Sequence, residues 1–378
     1  MNKQLTETEQ QWLDRTWDNI QRKMSAQCAR VGDRIPYVPE GGRYREDMGE
    51  SDIYWWTNGF WPGILWHMYQ ATGEPNYRTA AEGVERRLDT AFNGFDGLHH
   101  DVGFMWLHSA VANYRLTGDQ SAKTRGMHAA NLLAGRYNPR GKFIRAWNDD
   151  CTGWIIIDSM MNIPILHWAS QETQDPRFAY IAVDHADTVL KHAVREDGSC
   201  NHIAVLDPAT GDLVAAPGGQ GYASGSSWSR GQAWALYGFA LSHHYTGDDR
   251  YLSAAKRIAH YFIANVSVTG HVPLVDFRSP AEPVKWDTTA GVCAACGLLA
   301  IADAVPEHER SLYQSAAIRM LRAVDEKFCN WDVEQDSIVD GGTAAYHSAK
   351  HTEVPIIYGD YFFIEAVLRL KNKHVLIW

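Results

Sequence analysis

The 378-residue chain has no apolar run long enough to cross a membrane, and its first residues, MNKQLTETEQQWLD, are polar where a secretory leader needs an apolar core. With Met1 as the native start, this reads as a cytoplasmic protein. A basic field is also missing. The formal charge of −10 excludes a general nucleic-acid or anionic-membrane surface, so an anionic ligand must be read by a local cluster. Cysteine is sparse and scattered (Cys28, Cys151, Cys200, Cys293, Cys296, Cys329), and the one close pair lies in VCAACGLLAIA with no second pair to complete four zinc ligands. No HExxH spacing supplies another metal signature, so neither a metal nor a cofactor is expected.

What the chain has in excess is aromatic surface. Fifteen Trp, seventeen Tyr and twelve Phe fill cores, and they also offer flat walls for sugar rings or bases. A short phrase recurs: YQATGEPNY at 69–77, YRLTGDQ at 114–120, SQETQDPRF at 170–178 and HYTGDDRY at 244–251, with a degenerate ADAVPEHERSLY at 302–313. Each is a helix-to-helix turn, with Gly at the left-handed C′ position and Thr, Asp or Pro stopping one helix and starting the next. Periodicity on both sides predicts helices at about 5–31, 58–72, 75–95, 101–117, 120–136, 155–171, 175–194, 228–245, 249–266, 287–304, 307–327 and 357–371. The second and every alternate helix after it is apolar nearly all round, whereas the others are amphipathic. Six buried helices inside six amphipathic ones describe an all-α (α/α)6 barrel spanning 1–378 as one catalytic domain, with a helical solenoid as the competing layout.

The inner-to-outer turns are short; the returns, notably 32–57, 137–154, 195–227, 267–286 and 328–356, are long. Long loops therefore gather where the inner helices begin, and such surplus is usually functional. That face collects YWWTNGFW, LHHDVGF, IIIDSMMN, SSWSRGQAW, KWDTTAG and IYGDYFF in one bowl. Asp101 and Asp158 sit near helix starts, where a lone aspartate is ordinarily a cap. Asp158, however, is flanked by Ile155–Ile157 and by Met160 and Met161, which would desolvate it and raise its pKa, and a neighbouring carboxylate would add to the rise. Adjacent His99 and His100 would diverge by about 100° in a helix and make a poor metal pair. His347 and His351 fall in a Gly-rich loop and are discounted as ligands. Trp61, Trp66 and Trp106 are expected in the core; Trp55, Trp56, Trp147, Trp228 and Trp234 are candidates for stacking.

On DxGF after HH, IIIDxxxNxP, and GSxWxRGQAWxxYGFAL followed by a TGD turn, the chain resembles the unsaturated glucuronyl hydrolases, glycoside hydrolase family 88. The likeness runs from YWWTNGFWPGILW to YGDYFFIEAVLRL. A family acting on unsaturated rhamnogalacturonan fragments shares the fold, but its Trp-x-Arg-Gly-Asn-Gly-Trp differs from WSRGQAW. The resemblance implies release of a 4,5-unsaturated uronic acid from lyase-generated di- or oligosaccharides by hydration of the vinyl ether. It implies Asp158 as general acid/base and Asp101 as the second carboxylate. His100, His202, Gln220, Arg230, Trp56, Trp147 and Trp234 would line the sugar site, with Arg230 on the substrate carboxylate. Asn58 stands where some relatives have Asp. Ser348 and Lys350 resemble a sulfate-contacting segment, although Ala345 replaces a further serine. The expected partner is that saccharide alone, with no nucleic acid or membrane, and the protein is expected to be a monomer or weak homo-oligomer. An N-acylglucosamine-type epimerase and a non-catalytic carbohydrate-binding barrel are the rival readings.

Overall fold

The TGD-type phrases behave as punctuation in the computed structural model, which describes residues 5–378. Gly73, Gly118 and Gly247 take the left-handed position at φ 77°, 75° and 69°, and Gln174 does so at φ 55° in SQETQDP. Asp119 and Asp248 then cap the following helices by accepting from Ser121 N and Arg250 N. Twelve α-helices of ten residues or more result among the described residues: α1 (Glu7–Val31), α2 (Phe60–Thr72), α3 (Pro75–Leu88), α4 (102–117), α5 (Gln120–Ala134), α6 (Pro164–Thr173), α7 (Arg177–His192), α8 (Ser229–Thr246), α9 (Asp249–Ser267), α10 (Thr288–Ala304), α11 (Glu307–Phe328) and α12 (Ile357–Leu370). None is long and apolar enough to cross a membrane.

Burial separates two rings. Every residue from Phe60 to Met68 of α2 and from Ser229 to Ser242 of α8 is buried. By contrast, α9 buries Tyr251, Ala254, Ala255, Ile258, Ala259, Phe262 and Val266, a single stripe at helical spacing. The even-numbered helices form the inner ring and the odd-numbered ones the outer ring of the (α/α)6 barrel. Phe60, Phe104, Trp234, Phe362 and Trp378 meet along its centre, with Phe362 and Trp378 stacked at 5.8 Å. The barrel is therefore plugged and its mouth is a blind bowl. Trp61, Trp66 and Trp106 are buried, as their place in the apolar pattern predicts.

The structure corrects one expected helix start and adds detail to the loops. The segment read as a helix over 155–171 begins with a strand and a 3₁₀ turn, and α6 starts only at Pro164. Three consecutive β-branched residues, Ile155–Ile157, favour extended backbone, and proline supplies a first-turn residue with its φ already set. The loops also carry short strands, absent from the all-α reading: β1 (Tyr137–Asn138) pairs with β2 (Phe143–Ile144), and β3 (Trp154–Ile156), β4 (Ile203–Leu206) and β5 (Leu213–Ala215) form an antiparallel sheet in that order.

Candidate active site

The sheet explains how two distant loop residues meet. Ile156 lies opposite Ile203, and Ile157 N donates to His202 O at 2.9 Å, which leaves Asp158 beside His202. His202 Nε2 is 3.6 Å from Asp158 Oδ1. The backbone N–H of Gln220 donates to His202 Nδ1 at 2.9 Å, so the ring proton resides on Nε2, facing the carboxyl. Burial pushes His202 down to about 3, and the ring is neutral. Gly219, at φ 59°, permits this contact, because a Cβ there would collide with His202 Nδ1. Gly219→Ala should therefore lower kcat/KM by about tenfold and also lower the melting temperature, since a Cβ against His202 Nδ1 must push that buried ring aside and alanine is strained at this φ. Unchanged kinetics with a lowered melting temperature would show that the loop serves only folding.

Asp101 comes from the other side, from the turn that opens α4. It occupies the N-cap position, yet its side chain makes no capping bond, so the usual reading of a lone aspartate fails here. Instead Asp101 Oδ1 accepts from Asn162 Nδ2 at 2.9 Å, with His100 Nε2 at 3.4 Å, while Oδ2 lies 3.3 Å from His99 Nδ1. His99 and His100 precede the helix rather than belong to it, and so they converge: one donor atom from each and from Asp101 lies within 4.8 Å of the others. The Asn162 N–H already faces Asp101 Oδ1.

Both aspartates are buried, and burial pushes each carboxyl up to about 7. At Asp101 the Asn162 hydrogen bond and the Arg136 charge oppose the rise. At Asp158 the Asp101 charge adds to it and Arg230 opposes it. Asp158 Oδ1 has no hydrogen-bond partner. One proton near neutrality thus has two adjacent places to reside.

A pocket of about 240 Å³ opens over this pair, walled by Trp55, Trp56, Trp147 and Trp228, with His99, Gln220 and Arg230 as polar contacts. A larger cavity of about 510 Å³ lies at the opposite face, among the C-terminal ends of α8, α10 and α12, far from the carboxylates. Arg230 is buried. Its Nη1 donates to Asp287 Oδ2 at 2.7 Å and Thr343 O at 2.6 Å, and Nη2 donates to Ala344 O at 2.5 Å. The guanidinium fork is therefore largely committed to the protein, and Nε alone is unpartnered.

Three residues expected in the pocket stand behind it. Trp234 is fully buried, 6.4 Å from Trp56, and forms floor rather than wall. His100 is fully buried behind Asp101, and His99 reaches the pocket in its place. His202 is likewise buried, beside Asp158 rather than on the wall, whereas Trp56, Trp147, Gln220 and Arg230 do meet there. Asn58 is buried and donates to Asp52 O and Ile53 O, bracing the loop before α2. Gln220 Nε2 donates to Ala344 O and Tyr346 N donates to Gln220 O, which ties the late loop to the pocket. Farther along that loop, Ser348 Oγ donates to Lys350 O within a turn, and Lys350 is exposed.

The sequence profile described as Glycosyl Hydrolase Family 88 matches residues 29–245. The chain belongs to glycosyl hydrolase family 88. Among family 88 relatives, the unsaturated glucuronyl hydrolase of Bacillus sp. (strain GL1) is 35% identical over 92% of this chain and 94% of its own. The crystal structure of the unsaturated glucuronyl hydrolase of Bacillus sp. GL1, described as responsible for the degradation of glycosaminoglycan, superposes with a TM-score of 0.90 at 34% identity, covering 95% of this chain and 97% of that one. A Streptococcus agalactiae unsaturated glucuronyl hydrolase mutant, solved in complex with dGlcA-GalNAc6S, gives a TM-score of 0.83 at 28% identity, over 97% and 93% of the two chains. The protein is a glycoside hydrolase acting on a saccharide, with the (α/α)6 barrel of its family.

Proposed function

We propose that this enzyme, with 1–378 acting as one catalytic unit, removes a 4,5-unsaturated uronic acid from the non-reducing end of lyase-generated oligosaccharides, glycosaminoglycan fragments foremost. The observation that carries the reading is the buried pair Asp101 and Asp158, both raised to about 7 beneath an aromatic-walled pocket. A 4,5-unsaturated uronate is a vinyl ether, and its hydration needs a carboxylic acid that is still protonated near neutrality.

In the proposed reaction Asp158 gives its proton to carbon 4. The π electrons form the new C–H bond, leaving positive charge shared by carbon 5 and the ring oxygen. Asp158, now a carboxylate, takes a proton from water as the water oxygen bonds to carbon 5. The hemiketal opens and carbon 1 expels the remaining saccharide. Asp101 stays ionised, holding ring hydroxyls and the proton on Asp158. Trp56 and Trp147 support the sugar faces. His202 borders Asp158 as a neutral ring, with Nε2 3.6 Å from Oδ1 and no hydrogen bond between them. Gln220 fixes the 344–346 edge. Arg230, its fork engaged, attracts the substrate carboxylate through its charge and Nε–H rather than through a bidentate clamp. This scheme departs from paired-carboxylate displacement at the anomeric carbon, so the spacing of the two carboxyls carries no stereochemical rule.

Loss of the ultraviolet absorbance of unsaturated disaccharides from chondroitin, hyaluronan, heparin, gellan or ulvan tests the activity. No decay with any of them overturns it. An epimerase would instead depend on histidine bases and tolerate Asp158→Asn. Ser348 and Lys350 are proposed to meet a sulfate on the second sugar. Lys350→Ala should then lower kcat/KM on sulfated disaccharides by about tenfold, as expected for one charged contact, while sparing unsulfated ones. An equal effect on both would remove Lys350 from sulfate recognition.

A further inference from the structure

Asn162 joins the two carboxylate-bearing segments. Its Nδ2 donates to Asp101 Oδ1 at 2.9 Å and to the backbone carbonyl of Asp158 at 3.3 Å, while its Oδ1 accepts the Phe104 N–H at 2.7 Å. The Phe104 N–H fixes the amide orientation: a flipped amide would set N–H against N–H, so the donor necessarily faces Asp101. The side chain is fully buried, and α4 passes so close that a Cβ at Gly103 would sit 2.5 Å from Asn162 Cα. The backbone leaves room there for this amide and little else.

The other groups around the carboxyls do not supply the same bond. His99 and His100 approach Asp101 at 3.3 and 3.4 Å, held neutral by burial, and Arg136 acts on it by charge alone. Asp158 faces His202 at 3.6 Å and the charge of Arg230. Among the described residues, no other side chain donates a hydrogen bond to either carboxylate.

We propose that Asn162 is a positioning residue that assigns the shared proton: by donating to Asp101 it favours the ionised form there and leaves Asp158 as the protonated acid. A hydrogen bond to a charged carboxylate stabilises the charge, and the resulting negative Asp101 makes ionisation of Asp158 harder. The inference rests on the reading of Asp158 as acid, and it adds the group that decides which carboxyl fills that role.

The test is the pH profile of kcat/KM for wild type, Asn162→Ala and Asn162→Ser, with Asp158→Asn as control and thermal unfolding measured alongside. The serine hydroxyl is a bond shorter than the asparagine amide and out of reach of Asp101, and serine keeps the test open should alanine not fold. Losing the donor should make Asp101 easier to protonate. The acid limb should then move up by about one pH unit, with kcat at its foot falling about tenfold and KM unchanged. An acid limb that stays in place while activity falls equally at every pH would reduce Asn162 to a brace for Phe104 and overturn the inference. Should Asp158→Asn turn over at the wild-type rate, the acid assignment itself fails. An inactive Asp158→Asn beside an unshifted limb defeats only the role given to Asn162.

Discussion

Asp158→Asn should lower turnover of an unsaturated disaccharide by about 10²–10⁴-fold, the range for losing a positioned general acid. The amide keeps the shape of the carboxyl but has no proton of suitable acidity for carbon 4. The same variant should be more stable than wild type above neutrality. Asp158 is raised from 3.8 to about 7 in the folded protein, so between those values the unfolded chain has released a proton that the folded one retains. Stability therefore falls as pH rises through this window, by at most ~1.4 kcal/mol per pH unit, and Asn removes that loss. A variant that is inactive but melts higher at about pH 8 than wild type, with the gap closing towards about pH 4, separates lost chemistry from misfolding. Full activity, or a lower melting point at both ends, would contradict the assignment.

Asp101→Asn should act through its neighbour. The charge on Asp101 adds to the raised pKa of Asp158, so a neutral amide should let Asp158 ionise at lower pH. The alkaline limb of kcat/KM should move down. Near neutrality the deficit should reach about 10–100-fold, and it should shrink on acidification as Asp158 recovers its proton. Measuring kcat/KM across that range distinguishes this from a contact role, for which the deficit would be the same at every pH.

Much of this was legible in the chain itself. The Thr-Gly-Asp turns carry their own stereochemistry, so the helix ends that meet at each turn fall within a few residues of expectation, and the alternation of all-round apolar with amphipathic segments ordered the rings. What periodicity could not reveal was anything set by the loops. Ile155–Ile157 read equally as the start of a buried helix, and only pairing with β4 shows why Asp158 meets His202. His99 and His100 could not be told apart without the backbone, because neighbouring side chains in a turn have no fixed angle. Trp234 lies one turn beyond Arg230 in a helix buried on every side, and such a pattern does not separate floor from wall. Asn162 was visible as the last polar residue of IIIDxxxN, one turn after Asp158, yet its partner 61 positions earlier belongs to tertiary structure alone.

Protonation of carbon 4 by Asp158 is the central step, and turnover in D₂O followed by proton NMR reports it directly. Early in the reaction, wild type should place one deuteron at carbon 4 in a single configuration, as delivery from one fixed carboxyl demands, with saccharide release in step with loss of the double bond. Released uronate whose double bond is intact, or carbon 4 labelled without facial preference, would contradict it.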